Sequence, residues 1–158
     1  MDNQPAPYAP VPPQQPYYAP PAAPAPLRRL NTKRGLVKFI LLSIITLGIY
    51  SIVFWTGIGS DLNTLAGRWD GKKTMHYCLL FFLLGPITCG IGYLVWYHKV
   101  SGRMGSELKR RNIPYSFGAV DFWIFEILLS FTVVCPLIYI HKAAKASKLL
   151  AESYNAVG

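Results

Sequence analysis

Three apolar stretches, each about as long as a bilayer is thick, constrain this chain more than anything else in it. Residues 36–58 read LVKFILLSIITLGIYSIVFWTGI, with Lys38 as the only charge. Residues 77–97 read YCLLFFLLGPITCGIGYLVWY and carry no charge, while 119–140 read AVDFWIFEILLSFTVVCPLIYI, with Asp121 at the edge and Glu126 well inside. A helix rises about 1.5 Å per residue, so the first stretch would extend about 34 Å against a hydrocarbon core of about 30 Å. The sequence therefore predicts an all-α integral membrane protein. Its three hydrophobic helices are kinked at Gly48, Gly85-Pro86, Gly90, Gly92 and Pro136 and joined by short amphipathic helices. Folding back of each stretch at these residues is the alternative. It brings all polar tails to one side, but exposed turn backbone in lipid is costly unless shielded. A cleaved signal peptide is not expected, because the first apolar run begins only at Leu36 and exceeds a signal core in length.

The rest of the chain divides around these stretches. Ten of the 13 prolines fall in residues 1–26, a Pro/Tyr/Ala-rich segment that reads as a disordered, extended cytoplasmic tail. Residues 27–35 are a basic juxtamembrane segment, and 36–158 form the membrane domain. Lys and Arg in short flanks resist transfer across a bilayer. In a three-pass arrangement one side holds ten bases (Arg28, Arg29, Lys33, Arg34, Lys38, Lys99, Arg103, Lys109, Arg110 and Arg111), and the other holds six (Arg68, Lys72, Lys73, Lys142, Lys145 and Lys148). That count places the protein in the cell membrane with a cytoplasmic amino terminus and an exported carboxyl terminus.

The apolar stretches repeat. A shift of 42 residues lays FILLSIITLGIYSIV (39–53) on FFLLGPITCGIGYLV (81–95), with eight of fifteen positions identical, among them Thr46/Thr88, Gly48/Gly90 and Ile49/Ile91. A third, worn copy matches through Leu129-Ser130 and Thr132 after a one-residue deletion, and through His141-Lys142 against His98-Lys99. TLGIYSIVFW, with its diverged second copy TCGIGYLVWY, resembles a family of small bacterial membrane proteins catalogued only as a domain of unknown function, number four-two-three-four. The resemblance is carried by Thr46, Gly48, Ile49, Tyr50, Thr88, Gly90 and Ile91, and it covers roughly residues 33–110. Gly92 stands where the first copy has Tyr50. The resemblance implies a multi-pass architecture and no activity.

Four features are candidates for function. Arg28, Arg29, Lys33, Arg34, Lys99, Arg103, Lys109, Arg110 and Arg111 are candidate contacts for anionic lipid headgroups, each worth about 1 kcal/mol near a charged surface; as plain orientation anchors they need no specific ligand. Glu126, an acid inside an apolar run, is a candidate intramembrane polar site, with Ser130 as its local partner in a purely structural reading. The tail offers PxxP spacings (Pro7 to Pro10, Pro13 to Pro16) for a cytosolic partner, or serves as a spacer. Glycine-bearing helix faces allow close approach and self-association. No catalytic motif is present, Cys78, Cys89 and Cys135 do not have zinc spacing, and neither a cofactor nor a metal is expected. The net charge of +9 lies beside apolar segments, so the bilayer and not nucleic acid is the expected partner. The functional expectation is a non-enzymatic membrane scaffold or interaction module, with a small transporter or channel component built on Glu126 and the broken helices as the alternative.

Overall fold

The computed structural model describes residues 26–132 and 134–158; nearly all of the Pro-rich tail lies outside the described residues. Every regular element among the described residues is helical, with no strand. None of the three apolar stretches is one continuous helix, and among the described residues no helix is long and apolar enough to cross a membrane. The expectation of three kinked spanning helices is corrected here. Each stretch instead breaks at its middle into a short apolar arm, a tight turn and a long helix.

The first hairpin runs from α1 (Leu36–Ile45) through a turn at 46–48 into α2 (Ile49–Asp70). In the second, α3 (Tyr77–Leu79), a π-helical turn (Leu80–Leu84) and α4 (Gly85–Ile87) make up the arm, and α5 (Ile91–Arg110) the long helix. Pro86 has no N–H to give the carbonyl four residues back, which accounts for the widened ladder just before it. The third arm joins α6 (Ala119–Asp121) to a π-helix (Phe122–Leu128), and α7 (Val134–Val157) is its long helix.

Helices α2, α5 and α7 run parallel and share one core, and the 42-residue period runs through all three of them. Trp55, Tyr97 and Tyr139 are spaced by that period and meet at one level, with ring centroids 4.9, 6.0 and 6.3 Å apart. Leu62, Met104 and Ala146 occupy the next equivalent layer, and Ala66, Leu108 and Leu150 the one beyond; all six are buried. The third copy therefore aligns without the deletion that its turn residues suggest: in the arms and turns its sequence has drifted, whereas the core-facing positions keep register. Aromatic contacts of this kind, edge-on between Trp55 and Tyr97 and stacked between Tyr97 and Phe122, each add about 0.5–1.5 kcal/mol beyond their buried area. The Tyr97 and Tyr139 hydroxyls are hydrogen-bonded inside the bundle. The Tyr77 and Tyr97 hydroxyls lie 2.9 Å apart, Ser101 and Tyr139 hydroxyls 2.8 Å, and Trp96 donates to the Met75 carbonyl.

Because the long helices are parallel, each hairpin returns to the same end of the bundle. Leu27 N–H donates to the Tyr154 hydroxyl, and Asn155 clasps both backbone groups of Leu30 at 2.7 and 3.0 Å. Both ends of the described chain thus lie together at the polar end, opposite the turns. The 10:6 division of basic residues between two sides does not exist in this fold.

One close approach depends on a missing side chain. At Gly105, on the buried face of α5, a Cβ would collide with the Phe117 carbonyl and press on Gly118. Both obstacles are backbone, so they cannot rotate away. Gly105→Ala is expected to destabilise the fold by about 1–3 kcal/mol, read as a melting temperature several degrees lower. Gly118→Ala, with open space around it, is the control that should leave melting nearly unchanged.

Candidate functional site

The most distinctive surface is the end carrying the three turns. In the first turn Gly48 N–H reaches Ser43 C=O at 2.7 Å, and Leu47 N–H reaches Ile44 C=O at 3.2 Å, the 6→1 and 5→2 pair that closes a helix on a left-handed residue. Thr46 Oγ donates to Leu42 C=O and accepts Tyr50 N–H, stitching the arm to the next helix. The second turn repeats this atom for atom: Gly90 N–H to Gly85 C=O, Cys89 N–H to Pro86 C=O, Thr88 Oγ to Leu84 C=O, and Gly92 N–H to Thr88 Oγ. The Thr-x-Gly-Ile motif is thus a turn whose N–H groups are all bonded within it, which lowers the cost of the chain reversal.

Gly48 and Gly90 have φ of 90° and 88°, where a β-branched residue does not fit. The third copy has Thr132 at this position and forms a different turn on the π-helix, with Leu129 N–H bonded to Ile124 C=O. The residue before each glycine is left-handed too, Leu47 at 49° and Cys89 at 50°, a conformation that costs a residue with a Cβ about 1–2 kcal/mol. A strained apolar residue at a chain reversal indicates that its position matters more than its comfort. Leu47 is 94% exposed and Phe131, its equivalent 84 residues on, 81%; Cys89 is exposed as well.

Apart from Leu27, Trp69 and Val157, every exposed large apolar side chain among the described residues lies in an arm, a turn or the first two turns of a long helix. Basic residues take over at a common height. Lys38 is nine residues before Leu47, Lys99 ten after Cys89 and Lys142 eleven after Phe131, or about 14–17 Å along a helix from the tips.

The nine candidate headgroup residues divide into two groups. Arg28 and Arg34 both bind Asp61, at 3.0 and 2.6 Å, and Arg34 also donates to Ser147. Arg103 grips Asp70 with two bonds and reaches Asn63, Thr74 and the Lys72 carbonyl; these contacts outweigh desolvation and hold the Asp70 carboxyl below the usual range. Arg110 and Arg111 share the buried Glu107 at 2.7 and 3.6 Å. These five arginines therefore hold the bundle together. Arg29, Lys33, Lys99 and Lys109 have exposed side chains without an ion-pair partner among the described residues. Asp61, Asp70 and Glu107, the acids that sort the bases into these groups, have no distinguishing motif in the sequence. Asp121 binds Lys142 and caps Gly118 N–H. Only the Glu107 pairs, three and four residues apart on one helix, were readable as local spacing.

Glu126 sits in the third arm with one carboxylate oxygen buried and without a partner, and burial raises its pKa above the ordinary carboxylate value. Ser130 is not its partner, because its hydroxyl donates to Ile127 C=O. The π-helix explains why: its wider turn moves a residue four positions on away from the same face. No group of three His, Cys, Asp or Glu side chains gathers as a metal site among the described residues.

Fold and surface together define a helical module of three parallel hairpins with apolar turns at one end and a basic collar behind them. Residues 34–106 match the family described as "Domain of unknown function (DUF4234)", the family that the Thr-x-Gly-Ile repeats resemble. The match covers the first two hairpins. No curated protein and no solved structure matches the chain.

Proposed function

We propose that this protein is a non-enzymatic membrane scaffold that inserts its three hairpin tips into one leaflet without crossing the bilayer. The observation that supports this is the coincidence of three exposed apolar turns at one end with basic residues about 14–17 Å behind them. Half of a hydrocarbon core is about 15 Å, so lysines at that height lie at the headgroups when the tips reach the bilayer centre. A contiguous apolar surface of this kind marks a membrane or protein contact, and the self-satisfied turns suit lipid. The polar ends of the long helices and the Pro-rich tail then share one aqueous side, where the tail presents its PxxP spacings to a partner.

Cys89 offers a native probe. In vesicles a membrane-impermeant maleimide is expected to leave Cys89 unlabelled whichever side it is applied to, and to label it once detergent is added. Rapid labelling of Cys89 in intact vesicles, with Cys78 and Cys135 replaced by Ser, would sink the insertion reading.

A further inference from the structure

We propose that a groove along α5 holds one anionic phospholipid, its headgroup at the cationic mouth and an acyl chain on the apolar floor. This deepens the one-leaflet reading, since the lipid would come from the leaflet that the tips enter. The groove has a volume of about 1070 Å³ and runs between one stripe of α5 and a wall formed by residues 70–75 and Leu84. Its two ends differ in chemistry. Toward the tip it is lined by Leu84, Ile91 and Val95, and at collar height by Lys99; Lys72, whose carbonyl meets Arg103 and lies beside Gly67, and Lys73 line it nearer the polar end.

Two carboxylates also line the groove, Asp70 and Glu107. Asp70 is bound by Arg103 at 2.8 Å and Glu107 by Arg110 at 2.7 Å, so both charges are answered inside the protein. The three lysines have exposed side chains and no acidic partner among the described residues. They stand on both walls of the groove, two on the 70–75 segment and one on α5, so an anionic headgroup lying in it meets cations from both sides.

The two repeats differ beside this groove. Hairpin one has Tyr50 packed on Phe39 and Phe54, with centroids 6.3 and 6.5 Å away. Hairpin two has Gly92 at that position, where a Cβ would lie 2.9 Å from Thr88 Oγ1 and 3.3 Å from Leu80 Cδ1, and its neighbouring aromatic, Tyr93, packs on Phe81 at 6.4 Å. The glycine therefore lets the second arm pack close against α5. The floor from Val95 to Ile91 continues the apolar surface of the arm directly toward the tip, along the path that an acyl chain takes from headgroup to bilayer centre.

Native mass spectrometry of the full chain in detergent, with dioleoyl phosphatidylglycerol or dioleoyl phosphatidylcholine added, tests the assignment. One phosphatidylglycerol is expected to stay bound at concentrations where phosphatidylcholine does not. The Lys72→Gln/Lys73→Gln/Lys99→Gln variant should lose affinity by a factor on the order of 100, from about 1 kcal/mol per lysine. Val95→Trp, which blocks the floor and leaves the charge alone, should also lose the bound lipid. The proposal is overturned by unchanged binding in either variant, by equal retention of the two lipids, or by oleate competing as well as phosphatidylglycerol. Far-ultraviolet circular dichroism confirms that the variants keep their helices. Flotation of the wild-type chain with pure phosphatidylcholine vesicles separates the two readings: failure to float with retained phosphatidylglycerol binding removes the leaflet reading alone, and floating without lipid selectivity removes the groove alone.

Discussion

A reporter active only in the cytoplasm, fused after Gly158, is expected to be fully active, and one that needs export to be silent. Reporters placed before Leu27 should give the same pair of results. The difference is all-or-none, because a three-pass chain puts its two ends on opposite sides and a three-hairpin chain does not. Asn155 and Tyr154 of α7 hold the backbone of Leu30 and Leu27, so the carboxyl terminus follows the amino terminus wherever it goes. The charge distribution agrees: with the apolar stretches folded back, all 16 lysines and arginines lie at or behind the collar, and the basic run Lys142, Lys145 and Lys148 no longer has to be exported. An export-dependent signal from the Gly158 fusion beside a cytoplasmic signal from the fusion before Leu27 would overturn the hairpin arrangement and restore an odd number of crossings.

Much of this architecture is legible in the residues, but the choice between spanning and folding back is not. The repeat, the helical class and the breaks at Gly48, Gly90 and Pro86 all follow from spacing and from what glycine and proline do to a helix. What turned the sequence reading toward spanning helices was the cost of bare turn backbone in lipid. That cost is lowered by hydrogen bonds that no propensity reports: Thr46 and Thr88 each return a hydroxyl to a carbonyl four residues back and accept the N–H four residues on. The candidate headgroup site was blurred for a related reason. Arg103 and Lys99 look alike as basic residues beside an apolar run, and only long-range contacts distinguish them, since Asp70 and Asn63, which hold Arg103, are 33 and 40 positions away. Glu126 was visible as an unusual acid, whereas the π-helix that separates it from Ser130 has no local signature comparable to the proline in the second arm.

Leu47→Asp and Phe131→Asp are expected to release the protein from membranes without unfolding it. At the bilayer centre an aspartate is less favourable than leucine or phenylalanine by about 3–4 kcal/mol, which lowers partitioning by a factor on the order of several hundred for each tip. The double variant should leave vesicles almost completely in a flotation assay. Both side chains are already exposed in the folded bundle, so their contribution to packing is small and the melting temperature should hold. At position 47 the fold has reason to prefer the variant: the backbone there is left-handed, and aspartate tolerates that region better than leucine does. Opposite effects on fold and membrane from one substitution are hard to obtain unless the strained leucine is kept for the bilayer. Leu27→Asp and Val157→Asp remove exposed apolar side chains at the polar end, where they should change neither property. If Leu47→Asp/Phe131→Asp floats like the wild type, the tips are not the membrane contact, and the exposed apolar end must instead be covered by protein.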